Sequence, residues 1–344
     1  MPAPAPQILT EHFARLPAEM RQDLATKATR RARAHGLVVV REAGDVDIPL
    51  TLSPEVMPGS VGVERGLDAR AVLDGVLAAA RRVFESGLNS PLARSLFGHF
   101  GPLETRALDR WCTAETVTIA RVDWFVDARG RHRALELNAT IPAMQAYSDA
   151  AARAWIETLG THAGLTSGEV DRLVARNGSN AEALRRSLLA RGGLAPDALP
   201  SIAILHREND SQLRELQALV RLFAAAGHDV RLATPGEVRV DGDGRVLIGG
   251  RTFDILYRHI FARRMPEGSD LARVALGEAR QGLQNPVNGH LEVKGLFAEL
   301  HRVLHEEEGR GLALSDETRS RLGRVVPWTR VFADTDVRGP DGER

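Results

Sequence analysis

Covalent cross-links hold nothing in this chain. It has one cysteine, Cys112, among 344 residues, so no internal disulfide forms and no cysteine-based zinc site can be built. Beside Trp111, that thiol reads as a small hydrophobe rather than a nucleophile. Lysine is nearly missing: Lys27 and Lys294 are the two, and every other basic side chain is arginine. A compositional bias accounts for this without any functional cause, yet it leaves chemistries that demand lysine few candidates. Net charge is absent as well, with 45 basic against 45 acidic residues. A binder of phosphate backbones needs a basic surface, so nucleic acid is not an expected partner. No apolar run approaches the roughly 20 residues that span a bilayer. Met1 to Gln7 has neither the basic start nor the apolar stretch of a signal peptide. The expectation is a cytoplasmic protein with no membrane partner.

What is present suggests an α/β protein of more than one part, since the length suits two or three domains. Residues 8–35 read as helix, stopped by Gly36. Val38 to Arg41 is a short strand, and 42–66, with Pro49, Pro54 and Pro58, reads as loop. Apolar residues from Ala71 to Phe84 recur at helical spacing. Thr116 to Val126 and Arg133 to Asn138 flank a turn at Asp127 to Arg131, which makes a hairpin. Residues 144–160 are helical, and Thr166 with Glu169 and Ser179 with Glu182 have capping-box spacing. After a linker at Gly192 to Pro200 come a strand (201–206), a helix (211–226) and a strand (229–233). A tight hairpin follows around Asp241 to Gly244, then a strand over 253–258. Residues 288–308 read as helix, and Val325 to Phe332 as a strand or an approach to one.

The informative stretch is Arg121-Val122-Asp123, answered by Glu136-Leu137-Asn138. Residues two apart on a strand share a face. If the hairpin brings the two faces together, two carboxylates and an amide oxygen converge beside an arginine. That oxygen-only set suits magnesium, which takes carboxylates, water and substrate phosphates, and the arginine would balance a transferring phosphoryl group. A solvated hairpin face also alternates Arg and Asp. Against that, Glu136 and Asn138 alternate with Leu135 and Leu137 in an apolar neighbourhood.

The same residues resemble the metal motif of the circularly permuted ATP-grasp ligases, the group that includes glutathionylspermidine synthase. Further segments are similar in order and spacing: Asp254-Ile-Leu-Tyr-Arg258, Asn285-Pro286 with Glu292-Val-Lys294-Gly-Leu-Phe297, and Val326-Pro327-Trp328-Thr329. The resemblance covers roughly residues 115–332. It implies that Asp123, Glu136 and Asn138 bind Mg2+ bridging the phosphates of ATP, that Arg121 assists phosphoryl transfer, and that Arg258 and Lys294 line the substrate or phosphate side. The implied reaction activates a small-molecule carboxylate as acyl phosphate for attack by an amine. The implied organisation is a mainly helical region (1–110), a metal-site hairpin with following helices (111–195), a Rossmann-like pre-ATP-grasp domain (200–332) and a polar tail (333–344). Two departures stand out. Ala139-Thr140-Ile141-Pro142 replaces small polar residues, which argues against glutathione or polyamine substrates. The family's ATP lobe, with its lysines and Gly-rich loop, follows the Pro-Trp-Thr segment, whereas this sequence stops at Arg344. The expectation is an incomplete ligase, inactive as written.

Other signals carry less. His301 and His305 lie four apart on a helix but lack a third ligand, and a solvated face accounts for them. Gly59 to Gly62 lacks the lysine of a phosphate loop. The alternatives to a ligase are a non-catalytic accessory module, its apolar 325–332 surface covered by a protein partner, and a nucleotide-sugar transferase. Fold analogy does not separate them.

Overall fold

The computed structural model describes residues 5–51, 54, 57–111, 117–306 and 312–331. Cys112, the expected start of a strand at Thr116, Phe332 and the tail 333–344 fall outside them.

The first expected helix is two. Proline ends one helix and opens the next, because it lacks the N–H that an interior turn needs. Thus α1 (Ala5–Ala14) stops short of Pro17, and α2 (Ala18–Ala34) begins directly after it. Gly36, at φ +90°, turns the chain into β1 (Val38–Arg41), which pairs antiparallel with β2 (Gly44–Asp47). The stretch 42–66 is therefore not all loop. β2 lies within it, and so does the start of α3 (Gly59–Glu85), where the Pro58 carbonyl accepts the N–H of Val61. Next come α4 (Pro91–Phe97), capped by Ser90, and α5 (Pro102–Trp111). β3 (Arg121–Val126) and β4 (His132–Asn138) form the expected hairpin.

Three helices follow: α6 (Gln145–His162), α7 (Ser167–Asn177) and α8 (Asn180–Arg191). Thr166 and Glu169 make the full reciprocal capping box. At α8 the reciprocity fails. Ser179 accepts the N–H of Glu182, but Glu182 pairs with Arg185 and Arg186, and Asp149 of α6 accepts the N–H groups of Asn180 and Ala181 instead. Then come β5 (Ile202–His206), α9 (Leu213–Ala225), β6 (Val230–Ala233), β7 (Val238–Val240), β8 (Val246–Ile248) and β9 (Ile255–His259). Strands β6-β5-β9 form a parallel sheet in that order, the layer expected from strand, helix, strand. After α10 (Asp270–Ala275), residues 289–292 make one 3-10 turn and α11 (Gly295–Glu306) follows, so the expected helix over 288–308 is interrupted at Val293. α12 (Asp316–Val325) takes up the residue expected to begin a strand, and 326–331 pairs with no other strand among the described residues.

The chain forms two compact units, neither continuous in sequence: Met1–Gly62, Ala143–Val238 and Leu247–His259 make the first, and Val63–Pro142, Arg239–Val246 and Ile260–Arg344 the second. The first holds the parallel sheet. Around α6 its helices bury Phe13, Leu24, Trp155, Leu159 and Leu173. Here Glu215, in the first turn of α9, is wholly buried. Its carboxyl faces the backbone amides of Met144 to Tyr147 at the start of α6 without regular hydrogen-bond geometry, and burial pushes it up to about 7. Met144, the residue before α6, adopts φ +85°. Burial also pushes the imidazole of His259, on β9, downward.

The second unit is built on α3. Val72, Val76, Ala79 and Val83 face Phe97, Leu137, Leu296, Leu300 and Leu322 in one apolar cluster. Gly75 makes this close approach possible, since a Cβ there would lie 2.9 Å from Leu322 Cδ1 and 3.0 Å from Leu300 Cδ2. His290 packs its ring against Phe84 and Phe97, with centroids 5.5 and 6.4 Å away, and burial holds it neutral, at about 3.

Candidate functional site

The turn between β3 and β4 is set by Asp127. Its Oδ1 accepts the N–H groups of Arg129 and Arg131 at 2.9 and 3.0 Å, and its Oδ2 accepts from the side chains of Arg131 and Arg133. Gly130 supplies the positive φ of +73° that the reversal needs. These donors, the Arg131 amide first, hold the Asp127 carboxyl well below the usual carboxylate range.

From that turn the strands run in register to the residues of interest. Arg121 lies opposite Asn138, Val122 opposite Leu137 and Asp123 opposite Glu136. A bulge between Asp123 and Trp124 shifts the register, so that Trp124 pairs with Ala134. One extra residue on β4 therefore has no partner, and that residue is Leu135. The bulge restores an inward face after a parity change: Ala134 and Leu137 are both buried, while Leu135 is 51% exposed. The expected alternation of Leu135 and Leu137 around Glu136 is thus only half apolar environment. Glu136 keeps its place across from Asp123 because the bulge absorbs the mismatch.

All four residues of the motif sit together on the outer face, partly exposed. Arg121 grips Asp123 with both arms of its fork, Nε to Oδ1 at 2.6 Å and an Nη to Oδ2 at 3.0 Å. The Asn138 amide donates to Glu136 Oε1 at 3.3 Å, which turns the amide oxygen away from the carboxylate. Lys294, just ahead of α11, joins this group: its Nζ lies 3.0 Å from Glu136 Oε2. Arg258 belongs to the other compact unit, on β9, with no exposed surface.

One residue of the site escaped the sequence reading as an actor. Glu292 Oε1 accepts the N–H groups of both Ala139 and Thr140, at 2.8 and 2.6 Å. It fixes the backbone immediately past Asn138. Its signal lay only in the spacing to Lys294, because its partners are more than 150 residues away. Nearby, Asn285, fully buried at φ +64°, donates its backbone N–H to Thr118 Oγ1, tying the Asn-Pro loop to the approach of β3.

The donor set fits a hard divalent cation. Two carboxylates face each other across a ladder, an amide whose oxygen would have to turn inward stands beside them, and all three are partly exposed to water. Among the described residues no group of three His, Cys, Asp or Glu gathers that could hold a metal by itself, so a cation here would complete its shell with water and ligand oxygens. His301 and His305 are not such a centre, and the expected solvated face holds for His305 alone. Their rings lie 4.3 Å apart, tilted by 33°, but His301 is 8% exposed and its Nδ1 meets Arg330 at 2.8 Å. Arg330 lies against it, and burial pushes His301 down to about 4.

No family model and no curated protein matches this sequence. Among solved structures, the chain is similar to a glutathione synthetase-like effector (GSS30) from Globodera pallida in its apo form, at 12% identity and a TM-score of 0.52, over 90% of this chain and 70% of that one. At that identity the likeness bears on the fold alone, which is mixed α/β and like that of this neighbour. Among the described residues no helix is long and apolar enough to cross a membrane.

Proposed function

We propose that this chain carries the cation-binding part of an ATP-dependent carboxylate–amine ligase of the circularly permuted ATP-grasp type. The observation that supports the reading most is the pairing of Asp123 with Glu136 directly across the β3–β4 ladder, flanked by Arg121 and Asn138. Like charges placed directly opposite one another destabilise a sheet. Such a pair needs positive partners, and beside Arg121 and Lys294 a divalent cation is one that would serve. Asp123 and Glu136 would hold Mg2+, with Asn138 turning its oxygen inward. The metal, once bound, would neutralise the phosphates of ATP. Arg121, gripping Asp123 by both arms, orients that carboxylate and supplies a fixed positive charge at the rim. The substrates would be a small-molecule carboxylate and an amine, in a cytoplasmic setting.

A second reading, a fold kept without catalysis, is favoured by one observation: in this structure both carboxylates are already paired with side-chain cations. The two readings separate in one experiment on the full-length product of the gene. Equilibrium binding of ATP is measured with and without Mg2+. The ligase reading expects magnesium-dependent binding that Asp123→Ala and Glu136→Ala each abolish. Binding unchanged in both variants removes the metal assignment and leaves the non-catalytic reading.

A further inference from the structure

We propose that Lys294 is a resident counter-ion of the carboxylate pair, the cation that a divalent ion displaces, and that Glu292 holds the strand end on which the exchange occurs. This rests on the metal reading of Asp123 and Glu136.

The two carboxylates are neutralised in different ways. Arg121 comes from the same strand as Asp123, two residues away, and makes two short bonds in a fixed fork. Such a bidentate guanidinium contact is geometrically locked. Lys294 comes from a separate segment and touches Glu136 through one contact of 3.0 Å, with its side chain 64% exposed. An ammonium on a flexible stem, paired at the surface, is a weak and replaceable partner. One carboxylate thus has a permanent cation and the other a removable one.

The composition sharpens this. Basic positions in this chain are arginine almost without exception, and lysine occurs at two. Lys27 is an ordinary helical partner of Asp23, four residues away. Lys294 is the other. An arginine at that position would offer Glu136 the same fork that Arg121 offers Asp123, and a metal would compete with it poorly. A lysine can leave.

Glu292 makes the exchange possible without loss of the strand. Its carboxylate collects the N–H groups of Ala139 and Thr140, which are themselves buried. The backbone after Asn138 therefore stays fixed whether or not Lys294 is in contact. Glu292 is a positioning residue and Lys294 the exchanged ion, two residues apart on one segment.

The test is Mn2+ binding to the whole chain, read from the electron paramagnetic resonance of the free ion, with melting temperature as a check on folding. Lys294→Gln is expected to tighten the Mn2+ Kd by about two- to fivefold, the range that an exposed ion pair is worth. Lys294→Arg is expected to weaken it by a similar factor. Arg129→Gln removes a charge from the turn of the same hairpin and is expected to change nothing. Glu292→Gln should speed exchange of the Ala139 and Thr140 amides at unchanged melting behaviour elsewhere. If Lys294→Gln leaves the Kd unchanged or weaker while Glu136→Gln loses binding, the exchange is overturned and the metal reading stands. An equal gain from Arg129→Gln also overturns it, since the effect is then a general field. If the native chain binds no Mn2+, or Glu136→Gln binds as well as the native chain, the metal reading falls and this inference with it.

Discussion

Two hairpins in this chain are turned by the same device and used differently. At Asp241, as at Asp127, the carboxylate accepts the N–H groups two and four residues on, at 3.0 and 2.9 Å, and takes an arginine from its own turn, while a glycine at positive φ closes the reversal. The Asp241 carboxyl is likewise held below its usual range, first by the Arg245 amide. Beyond the turn the two diverge. β7 and β8 are three residues each and present Val238, Val246 and Ile248 to the interior, and the charges of their turn pair with one another, Arg245 with Asp241 and Asp243. β3 and β4 are six and seven residues, and their added length carries the Asp123–Glu136 and Arg121–Asn138 rungs. A turn fixes where a hairpin reverses. Chemistry needs rungs far enough from it to leave side chains unspent.

Three changes would break or sharpen that contrast. The largest effect is expected on cation binding: Glu136→Gln should weaken Mn2+ by about tenfold or more, at least what loss of a supporting ligand costs at metal sites, whereas Arg239→Gln on β7 should leave it unchanged in the same titration. Next is packing. Leu137→Ala opens a buried site and should cost about 2–5 kcal/mol, while Leu135→Ala, displaced outward by the bulge, should cost under about 0.5 kcal/mol. Paired thermal melts check this, and similar losses would mean the bulge is not there. The smallest is at the turns. Asp127→Ala should lower the melting temperature more than Asp241→Ala, since Asp127 also accepts from Arg133 on the next strand. Both carboxyls are depressed in the folded protein. The stability they contribute is present above the ordinary carboxylate range and lost as pH falls through their folded values. The difference between the variants and the native chain should therefore shrink in acid.

The hairpin and its polar face were legible because period-two alternation and an Asp-x-x-Gly turn are local signals. The parallel layer was legible from strand, helix, strand for the same reason. The bulge was not, because Leu135 and Leu137 look alike in sequence and only the register tells them apart. Glu292 was hidden by distance along the chain. Arg258 read as a candidate only through the resemblance of its Asp254–Arg258 segment to a known motif, and nothing local shows that it is enclosed. The compact units were hidden too, since each is assembled from separated segments and no composition shift marks the crossings.

Glu215, under the start of α6, has a consequence for the proton traffic of folding. Its folded value of about 7 lies above that of an open chain, so the stability it allows is full in acid and is lost as pH rises through 7. His290 and His301, held down at about 3 and about 4, act the other way, losing stability as pH falls below the ordinary imidazole range. Near pH 6, unfolding releases a proton from Glu215 while those imidazoles take protons up. With one carboxyl releasing and several depressed imidazoles taking up, His259 among them, uptake exceeds release, and the heat of unfolding should depend on which buffer is present. Glu215→Gln removes the releasing side of that balance. Calorimetry of this variant near pH 6, in buffers of high and low ionisation enthalpy, should show a larger net proton uptake than the native chain.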